Sequence, residues 1–239
     1  MLFVTVIGYD INIAVAEYKV FEKQLEWSEY ASMIIDQTYL TTLGYSMIVY
    51  DSMFFTLINC AVIQMIKVQY GLEHLDMTRD PYTEFCKLVK YHDFILRFIT
   101  YINGIYSIQL LNHFFTTTCC ICVGIFMLNV DGFPPSTDKL SYVSYLVCHN
   151  YQLYIYCSYG QILLNEMEAV GESLYNSDWY KKFQPKLRKA MSYVIIMSNL
   201  PNKLTIGGYW ELNLKTYMSI VKTAFSFNAF VQNVFNKSK

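Results

Sequence analysis

From Phe98 to Val130 the chain carries no Asp, Glu, Lys or Arg. A helix needs about 20 mainly apolar residues to cross a bilayer, and lipid offers nothing to satisfy an open backbone, so such a run folds as a helix. As one helix it would be about 50 Å long, against a hydrocarbon core of about 30 Å, and must tilt or project. A second charge-free run extends from Leu140 to Asn165, and Leu43 to Ile66 contains only Asp51. A fourth apolar stretch begins near Leu204 and continues to Asn236; Lys215 and Lys222 interrupt it, and Thr223 to Asn236 is free of charge. Only 15% of the 239 residues are charged, below the roughly 25% usual in soluble domains. The expected fold is an all-α, polytopic membrane helical bundle.

The breaks between these runs define the elements. Gly132, Pro134 and Pro135 form a short turn, because proline cannot continue a helix. Pro185 opens a short helix of about 15 residues, where its missing N–H costs nothing. Leu187, Met191, Val194 and Ile195 share one face of it. Pro201 and Gly207-Gly208 end it and allow a reversal toward the membrane. The expected helices are about 42–70, 93–130, 139–168, 185–200 and 211–236, within a transmembrane domain covering 41–236. Residues 1–40 read as an extracellular segment.

Basic residues orient the bundle. Residues 1–42 hold Lys19 and Lys23; 67–97 hold Lys67, Arg79, Lys87, Lys90 and Arg97; 131–139 hold Lys139; 166–211 hold Lys181, Lys182, Lys186, Arg188, Lys189 and Lys203. The alternation places the second and fourth of these segments inside and the C-terminus outside, with the 185–200 helix cytoplasmic. The Asn236-Lys-Ser sequon on the outer tail carries little weight so near the last helix.

Other classes find no support. A net charge of −1 without a basic cluster gives no nucleic-acid groove. No nucleophile–base pair, glycine-rich phosphate loop or metal spacing points to an enzyme, a cofactor or a metal. Cys119, Cys120 and Cys122 lie in an apolar window, where a buried thiol is the ordinary reading. The residues after Met1 lack the basic region and cleavage site of a signal peptide.

Several motifs, in order and at matching spacing, resemble the C-terminal half of insect odorant receptors. They are YGQILLNEMEAVGESLYNSDWY (159–180), PNKLTIGGYWELNLKTYMSIVKTAFSF (201–227) and YHDFILRFITYINGIYSIQLLNHFFTTTCCICVGIF (91–126), with Asp51 in VYDSMFF. The resemblance covers about residues 40–236, with mild departures at Ile206, Tyr217 and Phe225. Four membrane helices then correspond to the fourth to seventh of a seven-helix receptor, and the chain reads as truncated at its N-terminus.

The resemblance implies an odorant receptor subunit. It would bind a small volatile organic ligand and form part of a ligand-gated cation channel with a co-receptor, as a hetero-tetramer. It would lie in the plasma membrane of sensory neurons with its C-terminus extracellular, the orientation that the charge count gives independently. The last helix would line the pore. Ser219, Thr223, Ser226, Phe230 and Asn233 follow helical spacing along one face, and by resemblance Phe230, Asn233 and Val234 stand at the constriction. Small polar residues of this kind also serve helix packing, the competing reading of the row. Lys222 belongs near an interface or beside an acid. In the ligand cavity the resemblance places Tyr142 and Tyr145 of the sixth helix and Met47 and Tyr50 of the fourth, each pair three residues apart. Asp51 lies within a span, where a pairing role is the default. Trp179 and Trp210 bracket the internal helix as interface markers. Two alternatives stand beside this reading: a G-protein-coupled chemoreceptor, with a cytoplasmic C-terminus, and a non-conducting truncated fragment that only associates with partner subunits.

Overall fold

The computed structural model describes residues 27–77, 80–129, 136–181, 183–199 and 203–237. Among these residues there are five helices: α1 (Trp27–Glu73), α2 (Pro81–Asn129), α3 (Ser136–Tyr175), α4 (Pro185–Ser198) and α5 (Leu214–Lys237). Between α4 and α5 lies a small antiparallel hairpin of β1 (Thr205–Ile206) and β2 (Trp210–Glu211). The all-α expectation therefore holds apart from this one pair. The chain divides into two compact units, Met1–Thr56 and Leu57–Lys239, so that α1 contributes to both.

The long helices begin earlier than charge-free windows alone suggest. α2 starts at Pro81 rather than near 93, because Asp80 caps it: its carboxylate accepts the Thr83 hydroxyl at 2.6 Å and the Thr83 N–H at 3.4 Å. Pro81 then occupies the first helical position, where no N–H is required. α1 likewise covers residues 27–40, part of what the sequence suggests as an extracellular segment; residues 1–26 lie outside the described residues. At about 74 Å for α2 and about 60 Å for α3, both helices exceed a bilayer, and their charged ends, near Pro81 and Tyr175, continue beyond the apolar windows.

Within the second unit, α2 is apolar on both sides. Ile95, Ile99, Ile102, Tyr106, Leu110, Phe114 and Ile121 are buried, at steps of three, four or seven residues. Tyr101, Ile105, Ile108, Phe115 and Val123 follow the same period on an exposed face. A helix hydrophobic all round suits a bundle in lipid, where the outer face needs no water. Among the described residues, Tyr30–Glu73 and Pro81–Ile125 are long and apolar enough to cross a membrane. Of the four expected spans, two thus qualify by length and composition alone; the Tyr, Ser and Asn content of α3 and the two lysines of α5 dilute the others.

The core runs between α2, α3 and α5, and α4 packs on the charged end of α3. From α1, Ile58, Ala61, Met65, Val68 and Leu72 are buried. Gln69 ties that helix to α3, donating to both the carbonyl and the carboxylate of Glu166 at 2.8 Å. α4 buries Leu187, Met191 and Val194 of the expected face, with Ile195 only half-buried. Gly132, Pro134, Pro135 and Pro201 lie outside the described residues.

Candidate functional site

The region of interest is built where the hairpin delivers α5 to α2 and α3. Gly207 and Gly208 occupy the two central turn positions with φ of 63° and 77°, and the Tyr209 N–H closes the turn on the Ile206 carbonyl at 3.2 Å. The register pairs Ile206 with Trp210, so the loop is 207–209, and positive φ at its first two positions, open to a residue without Cβ, explains the glycine pair. The bend expected from sequence is therefore a hairpin turn. Asn103 of α2 clamps it: its side-chain oxygen accepts the Thr205 N–H at 2.7 Å, and its amide donates to the Thr205 hydroxyl oxygen at 3.1 Å. The Gly207 N–H adds a bond to the Ser107 carbonyl at 2.9 Å.

Beyond the hairpin, Asn213 caps α5 by accepting the Thr216 N–H at 2.9 Å. The Thr216 hydroxyl donates to the Glu211 carbonyl at 2.6 Å, and Glu211 pairs with Lys203 at 2.6 Å. Opposite this corner α3 presents Gly160, whose bare backbone lets the Leu212 carbonyl come close; a Cβ there would collide with that oxygen. Hairpin, cap and close approach together fix where α5 enters the bundle.

α5 then shows two different faces. Ala224 and Asn228 are buried, at 0% and 8% exposure, and Tyr217 lies on the same side, half-buried. Ser219, Thr223, Ser226 and Phe230 are exposed, Phe230 to 64%. The Thr223 hydroxyl bonds back to the Ser219 carbonyl at 2.8 Å, satisfying its proton within the helix while leaving its oxygen outward. The proposed polar row is thus not the face by which α5 packs in its own unit. Asn233 and Val234 lie in α5, but their side chains fall outside the described residues. Lys222 is exposed next to the row and makes no ion pair among the described residues.

On its other side α5 borders a groove of about 440 Å³. Ile121 and Ile125 of α2, Leu146, Val147, Asn150, Tyr151 and Tyr154 of α3, and Tyr217 and Phe225 of α5 line it. The Tyr217 hydroxyl donates to the Asn150 side-chain oxygen at 2.8 Å, and the Tyr154 and Tyr217 rings meet edge to face at 5.6 Å. Sequence reasoning named Tyr217 and Phe225 only as departures from the family pattern and assigned none of these residues to a ligand site. Of the four ligand contacts it named, Met47 is exposed and Tyr50 half-buried in the first unit, and the side chains of Tyr142 and Tyr145 lie outside the described residues. Asp51, also in the first unit, is 7% exposed.

At the charged end of the bundle, Arg188 of α4 lies between two rings, 5.1 Å from Trp179 and 4.8 Å from Phe183. Trp179 donates its indole N–H to the Tyr175 carbonyl at 3.1 Å, so it serves a cation–π stack within the protein. Nearby, the hydrogen bond and charge of Lys181 hold the Asp178 carboxyl below its usual range, and Asp178 holds the Lys181 ammonium above its own. Cys119 and Cys122, one turn apart on α2, are free thiols. Among the described residues, no group of three His, Cys, Asp or Glu is arranged to hold a metal ion.

Comparisons with known proteins agree on a family. The family model described as 7tm Odorant receptor matches residues 1–225. Odorant receptor 85b of Drosophila melanogaster is 26% identical over 150 residues, 63% of this chain and 38% of that protein. Odorant receptor Or2 of Anopheles gambiae is 19% identical over 155 residues, 65% of this chain and 40% of that protein. Among solved structures, the insect olfactory receptor OR5 from Machilis hrabei in complex with eugenol superposes with a TM-score of 0.77 at 16% identity, covering 90% of this chain and 55% of that one. The chain spans less than half the length of the curated relatives named here.

Proposed function

Because this chain belongs to the 7tm odorant receptor family, a family of membrane helical proteins, we propose that it is a subunit of an odorant-gated cation channel. In this reading α1, α2, α3 and α5 each cross the membrane, α4 is cytoplasmic and the C-terminus is extracellular. The subunit assembles with a co-receptor of the same family in the plasma membrane of sensory neurons. Its ligand is a small volatile organic molecule, the class to which the eugenol bound by the Machilis hrabei receptor belongs.

One observation carries the channel reading: Ser219, Thr223, Ser226 and Phe230 stay exposed on the face of α5 opposite its packed residues Ala224 and Asn228. Hydroxyls on an unpacked membrane helix face are poorly placed against lipid and well placed against water. Four such faces around an axis give a polar path, and a ring of Phe230 supplies an apolar constriction that closes by dewetting. Asn233 and Val234 extend the same constriction. Lys222, beside the row, is better tolerated where one side of the helix meets water and protein than where it meets lipid alone.

The test is co-expression of the full chain with the co-receptor and current recording against an odorant panel. Thr223→Val and Ser226→Val are expected to lower single-channel conductance or shift the reversal potential in mixed cations, at unchanged surface amount. Currents identical to those of the co-receptor alone would reject the channel role and leave the associating, non-conducting form.

A further inference from the structure

The groove between α2, α3 and α5 is lined by residues to which the receptor reading assigns no odorant contact. Its volume of about 440 Å³ falls within the range of small-molecule sites, roughly 300–1,000 Å³. Its walls are Ile121, Ile125, Leu146, Val147 and Phe225, and it opens on a surface where Val147 and Phe225 are 61% and 57% exposed. In a membrane protein that surface admits apolar molecules dissolved in the bilayer.

One edge is polar. Tyr217 donates its hydroxyl proton to the oxygen of the Asn150 amide at 2.8 Å. That bond fixes the orientation of the amide and uses its acceptor. The Asn150 NH₂ group remains as a donor beside the apolar walls, with no side-chain or backbone acceptor among the described residues. A pocket of this kind selects an apolar body with one acceptor oxygen, because a pure hydrocarbon leaves the amide donor unmatched and a strongly polar solute loses its hydration against isoleucine and phenylalanine.

We propose that this groove is a second ligand site, taking a small apolar molecule with a single carbonyl or ether oxygen that reaches it from the bilayer. The inference rests on the receptor reading for its consequence: the groove joins α3 to the buried side of the helix that presents Ser219, Thr223 and Ser226, so its occupant bears on the position of that helix. Asn150 and Tyr217 form the latch between the two helices, and a bound acceptor shares the Asn150 amide with it.

Benzophenone, an apolar ketone that crosslinks to nearby C–H bonds on illumination, is a suitable probe. The full chain, in membranes, is illuminated with benzophenone and the labelled peptides are mapped by mass spectrometry. Labels are expected within 146–154 and 217–225. Val147→Trp, at an exposed position at the groove mouth, is expected to abolish them while the protein remains monodisperse. Asn150→Leu is expected to raise the half-saturating benzophenone concentration by between about twofold and tenfold, the worth of one neutral hydrogen bond. Should Asn150→Leu misfold, competition of labelling by cyclohexanone against cyclohexane makes the same distinction, the ketone being expected to compete better. Labelling confined to other segments, persisting in Val147→Trp, or competed equally by ketone and hydrocarbon would overturn the proposal. The readout is crosslinking rather than current, so failure here is distinct from failure of the channel role.

Discussion

Gly160 and Leu212 meet so closely that no side chain fits between them. Gly160→Ala is therefore expected to push α3 from the hairpin at a cost of about 1–3 kcal/mol, read as a lower melting temperature of the detergent-purified chain; an unchanged melting temperature would mean that the two backbones do not approach as described. Nothing in YGQILLNEM tells which backbone comes near Gly160, because the partner lies far along the chain. The same holds for Asn150 and Tyr217, 67 residues apart, and for Asn103 and Thr205, 102 residues apart. A lone asparagine in an apolar run signals only that some partner exists. The polar row of α5 is different: Ser219, Thr223 and Ser226 are related by helical period, and period is local.

At the scale of elements, helix interiors are the legible part and helix ends the less legible part. Windows free of charge locate the middle of α1, α2 and α3, since burial in lipid or protein requires apolar residues there. They misplace the starts of α1 and α2, because both helices continue into charged sequence: α2 buries Pro81 and Phe85 in its opening turns, whereas residues 30–43 of α1 stay mostly exposed. The N-terminal signal of α2 was nevertheless present in Asp80-Pro81-Tyr82-Thr83, a capping residue followed by proline. α5 has a comparable cap in Asn213. Asn213→Ala removes the acceptor of the Thr216 N–H and is expected to cost about 1 kcal/mol, seen as faster amide hydrogen exchange in the first turn of α5 with little change near Asn228. Uniform exchange along α5 in both proteins would show that the cap does not hold that end.

At the scale of the whole molecule, orientation is the property most open to a direct test. In the proposed orientation residues 67–97 and 166–211 lie on the cytoplasmic side, and an antibody added to intact cells is expected to label a C-terminal tag on the full chain. Labelling only after permeabilisation would invert the topology and favour a G-protein-coupled arrangement. Among the described residues two helices are long and apolar enough to cross a membrane, and the tyrosines of α3 and the lysines of α5 lower the apolarity of the others. α3 and α5 also meet through polar contacts such as Asn150 with Tyr217, so their composition reflects protein neighbours as much as lipid.

The sequence by itself determined that this chain is a helical membrane protein of the odorant receptor family, that a glycine pair turns it before the last helix, and that this helix bears a polar stripe. Each follows from composition, short motifs or helical period, which act within a few turns of chain. Only the tertiary structure decided that the stripe is the unpacked face of α5, that the glycine turn is a hairpin clamped by Asn103, and that a groove with an amide edge lies behind the same helix. Those facts depend on which distant segments share a surface, and pairing across 67 or 102 residues is set by the packing of the whole unit rather than by any local pattern.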